Sequence, residues 1–242
     1  MFHPTTQMDN PLMRSSRNVR GESLTILIID DHPIVREGIR RLIEKEPSLE
    51  VCGEAEDARE ALALIEQKRP DLILLDLSLK RSSGFDLILE VKKRREDVRI
   101  LVLSIYNEEV YAERVLRAGA SGYVMKQEAP KKIISAIWAV LGGSIYVSEK
   151  VSAKILQSMA GKSSSSPSVD SLSDRELQVF QMIGEGLTHQ QIADRLMLSV
   201  KTIESHVEHI KDKMRVGSGR ELLQRAIEWV LGRGQQWNRK YR

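Results

Sequence analysis

Short apolar runs alternate with amphipathic segments between residues 24 and 140. The apolar runs predict five β-strands, at 24–29, 50–55, 71–76, 100–103 and 122–125. The intervening and following segments predict five helices, at 33–46, 57–68, 84–95, 107–117 and 130–140. Because strands that alternate with helices form right-handed βαβ units, the pattern predicts an α/β fold with a doubly wound parallel sheet.

Polar residues stand at the ends of four of these strands. The run 71–76 carries consecutive large aliphatic residues and stops at Asp76, although an aspartate at such a point can simply begin a turn. The other polar residues directly after strands are Asp30, Asp31, Ser104 and Lys126. In a flavodoxin-like strand order the carboxyl ends converge on one edge of the sheet, so we expect these side chains to meet there.

Three carboxylates and an ammonium group in one pocket favour phosphoryl chemistry. Clustered carboxylates repel one another and need a cation, and hard oxygen ligands favour Mg²⁺. Beside that ion the carboxylate of Asp76 can attack a phosphorus centre and form an acyl phosphate. Lys126 would then pair with phosphoryl oxygens and Ser104 would donate a hydrogen bond to another. Taken alone, Lys126 is more simply an exposed surface lysine.

From residue 171 to residue 231 the pattern becomes helical. Ser173 and Thr188 are each followed three residues later by Glu or Gln, which predicts capping boxes, and Ser199 predicts a third helix start. An apolar stripe follows, formed by Ile203, Val207, Ile210 and Met214. Two short helices joined by a tight turn, within a four-helix unit closed by 221–230, predict a helix-turn-helix, although a generic helical bundle has nearly the same spacing.

Composition narrows the possible classes of protein. The chain has 242 residues, of which 41% are hydrophobic and 29% charged, as is typical of two soluble domains. No run reaches the roughly 18 apolar residues that span a bilayer, and no apolar signal core is present, so we expect a cytoplasmic protein. The single cysteine, Cys52, excludes an internal disulfide and a multi-cysteine metal site.

Charge gives only weak support for nucleic-acid binding. The net charge is +3, and residues 171–242 carry 12 Lys or Arg against 9 Asp or Glu. We therefore divide the chain by pattern rather than by charge. The expected organisation is a disordered leader at 1–23, an α/β domain at 24–140, a linker with a short helix at 141–170, a helix-turn-helix domain at 171–231 and a basic tail at 232–242.

The first domain resembles the receiver domain of two-component response regulators. The matching residues are Asp30-Asp31, Asp76, Ser104-Ile105 and Gly122-Tyr123-Val124-Met125-Lys126. The resemblance implies that Asp76 is the phosphoacceptor. It also implies that the three aspartates hold Mg²⁺ together with the carbonyl of Ser78.

The same resemblance assigns the remaining pocket residues. Ser104 and Lys126 would contact the phosphoryl group. Tyr123 would be an aromatic switch that rotates inward when Ser104 moves toward the phosphate. A half-buried strand tyrosine is the plainer interpretation of Tyr123, and it is compatible with that role.

The second domain resembles the LuxR-type DNA-binding domain. The matching segments are Leu172-Ser173-Asp174-Arg175-Glu176, Glu185-Gly186-Leu187-Thr188, Gln191-Ile192-Ala193, Val200-Lys201-Thr202-Ile203 and His206-Val207. In this order the two modules are similar to NarL/FixJ-class transcriptional regulators. The resemblance implies a sensor histidine kinase as phosphodonor, double-stranded DNA as target, a homodimer on activation and RNA polymerase as a further candidate partner.

The third helix of this domain would be the recognition helix. For phosphate contacts we expect Lys201, Thr202, Lys211 and Lys213. Relatives of the class carry lysines where this chain has Glu204 and Glu208, and glutamate accepts a hydrogen bond from cytosine N4. We therefore hypothesise that Glu204 or Glu208 reads a cytosine, with Ser205 and His209 as auxiliary contacts. Solvent-facing charges without base contact are the alternative.

The resemblance also suggests where two copies would meet. In LuxR-type domains the final helix commonly forms the dimer contact, which here would involve Leu222, Leu223, Ile227 and Val230. Packing only within the domain is the alternative.

Two other functions use the same residues differently. A phosphatase could act on external phosphate esters at the acidic site, but the attached helix-turn-helix argues against it. A regulator controlled by a partner protein would not need phosphorylation. The intact acidic pocket argues against this hypothesis. We therefore expect no enzymatic activity beyond Mg²⁺-dependent self-phosphorylation and autodephosphorylation.

Overall fold

A computed structural model of the chain describes residues 23–79, 82–159 and 169–238. The expected leader, apart from its last residue, lies outside these ranges. So do the serine-rich part of the expected linker and the last four residues of the basic tail. The described residues form an α/β unit, a segment that follows it and a helical unit.

The first unit is a five-stranded parallel sheet with strand order β2-β1-β3-β4-β5. Its strands are β1 Leu24–Ile29, β2 Leu49–Ala55, β3 Leu72–Asp76, β4 Arg99–Ser104 and β5 Gly122–Met125. Its helices are α1 Pro33–Ile43, α2 Ala58–Lys68, α3 Gly84–Arg94, α4 Glu108–Arg117 and α5 Ala129–Leu141. The predicted flavodoxin-like α/β fold is confirmed.

Helices on both faces of the sheet explain why its central strand is apolar throughout. Side chains alternate along a strand, so Leu72 and Leu74 of β3 enter one core while Ile73 and Leu75 enter the other. All four are at most 1% exposed. The polar Asp76 is the last residue of this strand.

Helix α1 ends three residues earlier than predicted, whereas each end of the other helices of this unit lies within one residue of its prediction. The apolar pattern predicts α1 up to residue 46, but the helix ends at Ile43. Pro47 explains the difference, because a proline disfavours helical backbone at the residue before it.

The segment after α5 packs onto the first unit. Tyr123 N–H donates to Tyr146 O at 2.8 Å, and Tyr146 N–H donates to Ser121 O at 3.1 Å, so the segment forms a parallel bridge beside β5. Helix α6, Glu149–Met159, then packs against α4. The sequence pattern predicts α6 but not the bridge.

The second unit is helical, as predicted. It contains a short 3-10 turn, Val169–Ser171, and the helices α7 Asp174–Gly184, α8 His189–Leu196, α9 Val200–Met214 and α10 Gly219–Asn238. Both predicted capping boxes are present, at Ser173 with Glu176 and at Thr188 with Gln191. Ser199 caps α9 by accepting from Thr202 N–H at 3.1 Å. Helix α10 extends well beyond the predicted 221–230.

Among the described residues, no helix combines the length and the apolar character that crossing a bilayer requires. The longest, α10, has 20 residues and carries charged side chains along its length.

Gly84 begins α3 and lies against the backbone of Asp76 and Leu77. A Cβ atom at this position would lie 2.6 Å from Leu77 Cα and 2.8 Å from Asp76 O. We expect Gly84→Ala to lower the free energy of unfolding by about 1–3 kcal/mol, because backbone atoms cannot move aside as a flexible side chain can. Chemical denaturation monitored by circular dichroism measures the effect.

Gly38 provides the matched control. It lies inside α1, and a Cβ there would meet nothing within 4 Å. Gly38→Ala should raise the free energy of unfolding by about 0.5–1 kcal/mol through its helix propensity. Equal effects of the two substitutions would contradict the steric argument at Gly84.

Candidate functional site

Three aspartates meet at the carboxyl edge of the sheet. Asp30 and Asp31 follow β1, and Asp76 ends β3. They are 1%, 5% and 1% exposed, respectively. One oxygen from each, together with a nitrogen of His32, lie within 4.8 Å of one another. The topology thus brings together the carboxylates that the sequence analysis singled out.

Lys126, directly after β5, bridges two of these carboxylates. Its Nζ atom lies 2.6 Å from Asp30 Oδ2 and 2.7 Å from Asp76 Oδ2. Its backbone N–H donates to Ser104 O at 2.8 Å, which fixes the residue beside the end of β4. The lysine is therefore part of the pocket rather than an exposed surface residue.

Burial and charge oppose each other in the pocket. Burial raises the pKa of Asp76 above its ordinary value, although Lys126 acts in the opposite direction. Burial alone would lower the pKa of Lys126, but the carboxylates of Asp76 and Asp30 outweigh it and raise that pKa. The pocket thus holds a charged carboxylate at a desolvation cost, which a second bound cation would reduce.

The donor set suits a hard divalent cation. Three buried carboxylates face Lys126 and the half-exposed His32, whose Nδ1 lies 2.7 Å from Asp31 Oδ1 and 3.2 Å from Asp30 Oδ1. Ser78 lies in the same loop, since its N–H donates to Asp76 Oδ1 at 3.1 Å. Oxygen donors of this kind fit Mg²⁺. His32 is a cluster member that the sequence analysis missed, although it directly follows the two aspartates.

Ser104 and Tyr123 hold the loop between β4 and α4. Tyr106 N–H donates to Ser104 Oγ at 3.1 Å, and Tyr123 OH donates to Tyr106 O at 2.9 Å. Tyr123 is 1% exposed, so its ring already occupies the inward position and is not the half-buried tyrosine of the plainer interpretation. Burial raises the pKa of its phenol.

Helix α7 of the second unit docks on α3 and α4 of the first. Gln178 Nε2 donates to Ser83 Oγ at 3.0 Å, and Tyr111 OH donates to Gln181 Oε1. Both glutamines are buried, at 8% and 6% exposure. Tyr111 also stacks on Tyr106, with ring centroids 5.0 Å apart. Continuous contacts therefore run from the acidic pocket to α7.

Arg114 of α4 strengthens this docking. Its Nη1 donates to Leu172 O at 2.8 Å and to Asp174 Oδ1 at 2.9 Å, and its Nη2 donates to Val169 O at 3.3 Å. No sequence pattern used above predicts this interface. Its available signal was the pair Gln178 and Gln181, which are polar residues three positions apart in an otherwise apolar stretch.

Helix α9 presents the polar face expected of a recognition helix. The predicted stripe of Ile203, Val207, Ile210 and Met214 is buried. The exposed residues of the outer face include Lys201, Glu204, Ser205, Glu208 and His209. This face stays exposed while the α/β unit docks on α7.

Internal partners occupy several of the candidate DNA-contacting side chains. Lys211 pairs with Glu208 at 2.8 Å, and Lys213 pairs with the buried Glu176 at 2.7 Å. The Thr202 hydroxyl lies 2.8 Å from Ser199 Oγ. Within the described residues, the side chain of Glu204 has no hydrogen-bond or ion-pair partner. Of the two recognition-helix glutamates, it is the one with a free carboxylate.

The four candidate dimer residues on α10 differ in exposure. Leu222 is 1% exposed and packs in the core with Ala226, so its expected contact with a second copy is wrong. The periodicity of an amphipathic helix turns this residue inward toward α7. Leu223 and Ile227 are exposed at 40% and 36%, and Val230 is partly buried.

Two family models match the chain. The model described as the response regulator receiver domain matches residues 26–138, and the one for bacterial regulatory proteins of the luxR family matches residues 170–226. Receiver domains generally bind Mg²⁺ at an acidic pocket, and the cluster of Asp30, Asp31 and Asp76 is compatible with this.

Relatives of known role match over nearly their whole length. The nitrate/nitrite response regulator protein NarL of Escherichia coli K12 is 33% identical over 210 residues, covering 86% of this chain and 95% of the relative. The transcriptional regulatory protein DegU of Brevibacillus brevis is 31% identical over 232 residues, covering 89% and 98%.

Among solved structures, RcsB from Salmonella enterica serovar Typhimurium, bound to the promoter rprA in the presence of phosphomimetic BeF3-, is similar. It has a TM-score of 0.63 and 30% identity, covering 84% of this chain and 98% of the RcsB chain.

Proposed function

We propose, from the premise that the chain belongs to the NarL/FixJ class of two-component response regulators, that phosphorylation of Asp76 controls its dimerisation and its sequence-specific binding to duplex DNA. The observation that carries the proposal is the buried cluster of three aspartates bridged by Lys126. It stands in the same chain as an exposed recognition helix. The activity is therefore regulation of transcription.

The phosphodonor would be a phosphohistidine of a sensor kinase. An oxygen of Asp76 attacks phosphorus, the P–N bond breaks, and the imidazole leaves with the electron pair. Asp30, Asp31, Asp76 and the carbonyl of Ser78 would hold Mg²⁺, which supplies charge neutralisation when bound. Lys126 turns from Asp76 toward the phosphoryl oxygens. The phosphoryl group would stay on Asp76 until water hydrolyses the acyl phosphate.

Transmission would begin at Ser104. When its hydroxyl turns to the phosphoryl group, it gives up the hydrogen bond from Tyr106 N–H. The freed loop changes the stacking of Tyr106 on Tyr111, whose hydroxyl is bonded to Gln181 of α7. The docked domain is then released, which shifts an existing equilibrium toward the active arrangement.

Release would allow two copies to align their recognition helices. Because the outer face of α9 is already exposed, docking limits the orientation of the domain rather than covering α9. Two free domains can pair through Leu223 and Ile227 of α10 and bind paired half-sites. Lys201 is the favoured phosphate contact, since Lys211 and Lys213 have partners inside the domain.

Phosphorylation is tested by intact mass and solution size after incubation with Mg²⁺ and a small phosphodonor. The wild type should gain one phosphoryl adduct and shift toward a dimer. Asp76→Asn should gain no adduct and stay at its starting size, because an amide cannot accept the group. A folded wild type without an adduct would favour the regulator that does not need phosphate.

Docking is tested with the double substitution Gln178→Ala and Gln181→Ala. In the unphosphorylated state this variant should bind operator DNA roughly tenfold more tightly than the wild type, because each lost hydrogen bond is worth about 0.5–1.5 kcal/mol. Gln224→Ala is the control, since in the described part of the chain the Gln224 side chain bonds to Glu228 on the exposed side of α10 and not to the α/β unit. Unchanged affinity of the double variant would remove docking from the mechanism.

Base reading is tested by operator selection with Glu204→Ala and Glu208→Ala. Glu204→Ala should lose preference at one cytosine position, by about 1–3 kcal/mol of discrimination. Glu208→Ala should change less, because Glu208 is already paired with Lys211. Asp212→Ala removes a charge from the same helix and should affect all sequences equally. Preferences that stay the same at every position in all variants would reject base reading by the glutamates.

A further inference from the structure

Arg36 of α1 reaches the backbone of the acidic turn. Its Nη1 atom donates to Asp30 O at 2.5 Å. The side chain is 16% exposed, so the guanidinium lies largely out of solvent. Arg36 lies outside the acidic pocket itself, because it contacts the turn through a backbone oxygen.

Glu54 of β2 anchors the guanidinium. Arg36 Nε donates to Glu54 Oε2 at 3.0 Å, and Arg40 Nε donates to Glu54 Oε1 at 2.7 Å. Next to Glu54, Ala55 O accepts from Asp30 N–H at 3.1 Å. The N–H and the carbonyl of Asp30 are therefore both held from β2, the carbonyl through Arg36.

The carbonyl of Asp30 matters because it belongs to the peptide that carries Asp31. A peptide unit is planar, so fixing the Asp30 oxygen also fixes the direction of the Asp31 N–H and Cα. A hydrogen bond from a guanidinium is charge-assisted and stronger than a neutral one. The orientation of the Asp31 carboxylate in the pocket thus depends on a contact outside the pocket.

We propose that Arg36 is a positioning residue, which holds the Asp30-Asp31 turn in the conformation that binds the divalent cation. The proposal rests on the proposed function only in taking Mg²⁺ as the bound ion. Arg36 does not touch the ion or the phosphoryl group. It acts through the backbone, and Glu54 keeps it in place.

Arg40 is the control that distinguishes this positioning role from simple packing of α1 on β2. It lies one helical turn after Arg36 and pairs with the same carboxylate, Glu54. No hydrogen bond joins it to the acidic turn within the described residues. Loss of either arginine removes an ion pair to Glu54, but only loss of Arg36 frees Asp30 O.

The test compares full-length Arg36→Met and Arg40→Met with the wild type. Calorimetry with MgCl₂ measures the affinity for Mg²⁺, and denaturation measures the free energy of unfolding. We expect Arg36→Met to weaken Mg²⁺ binding by about tenfold, as is usual for residues that support metal ligands. Arg40→Met should stay within about twofold, as for a surface change away from the site.

Two further measurements separate positioning from folding. At saturating Mg²⁺, the rate of Asp76 phosphorylation by a small donor should return to near the wild-type rate in Arg36→Met. Arg36→Lys should recover part of the affinity, because an ammonium can still donate to Asp30 O. If Arg36→Met does not fold, Glu54→Gln tests the anchor, and it should weaken Mg²⁺ binding by a smaller factor.

Equal Mg²⁺ affinities of Arg36→Met and Arg40→Met would overturn the positioning role. So would a phosphorylation rate in Arg36→Met that stays low at saturating Mg²⁺. A wild type that binds no Mg²⁺ or gains no adduct would instead contradict the proposed function, so the two failures are distinguishable.

Discussion

The close approach of buried carboxylates at the carboxyl edge of the sheet is the constraint on which the rest of the structure depends. Asp30, Asp31 and Asp76 would repel one another and pay a desolvation cost without opposing charge. Lys126 supplies that charge through two short contacts. The apolar strands beneath hold the arrangement, since the side chains before Asp76 in β3 are almost fully buried. The apolar core thus supports a cluster of carboxylates whose burial and mutual repulsion are unfavourable.

Helix α4 connects the pocket edge of the sheet with both the segment after α5 and the helical unit. Near its start, Glu108 accepts from Ser148 N–H at 2.6 Å and Glu109 pairs with Lys150 at 2.6 Å, which holds the segment leading into α6. Further along, Tyr111 and Arg114 hold α7 and the turn before it. A small displacement of α4 would therefore change contacts with both the connecting segment and the helical domain.

Much of the fold could be predicted from sequence because its signals are local. The apolar runs and the residues at Ser173, Thr188 and Ser199 define strands and helix starts within a few neighbours. The convergence of Asp76 with Lys126 followed from topology alone. The bond from Arg36 to Asp30 O, the pairing of Lys213 with Glu176 and the docking of Gln178 on Ser83 could not be predicted, because each depends on side-chain geometry between distant elements. The burial of Leu222 could not be predicted either, because exposure on α10 depends on how the helix is rotated against α7.

The bridge at Tyr146 also limits how the protein can assemble with other chains. A strand at the edge of a sheet normally offers free N–H and C=O groups, to which a strand of another chain can add. Here the chain's own backbone occupies those groups beside β5, between Ser121 and Tyr123. Sheet extension from a second molecule at this edge would first require the segment to detach. At this edge of the sheet, self-association is thereby directed to helical surfaces, and the backbone groups between Ser121 and Tyr123 are closed to strand-to-strand aggregation.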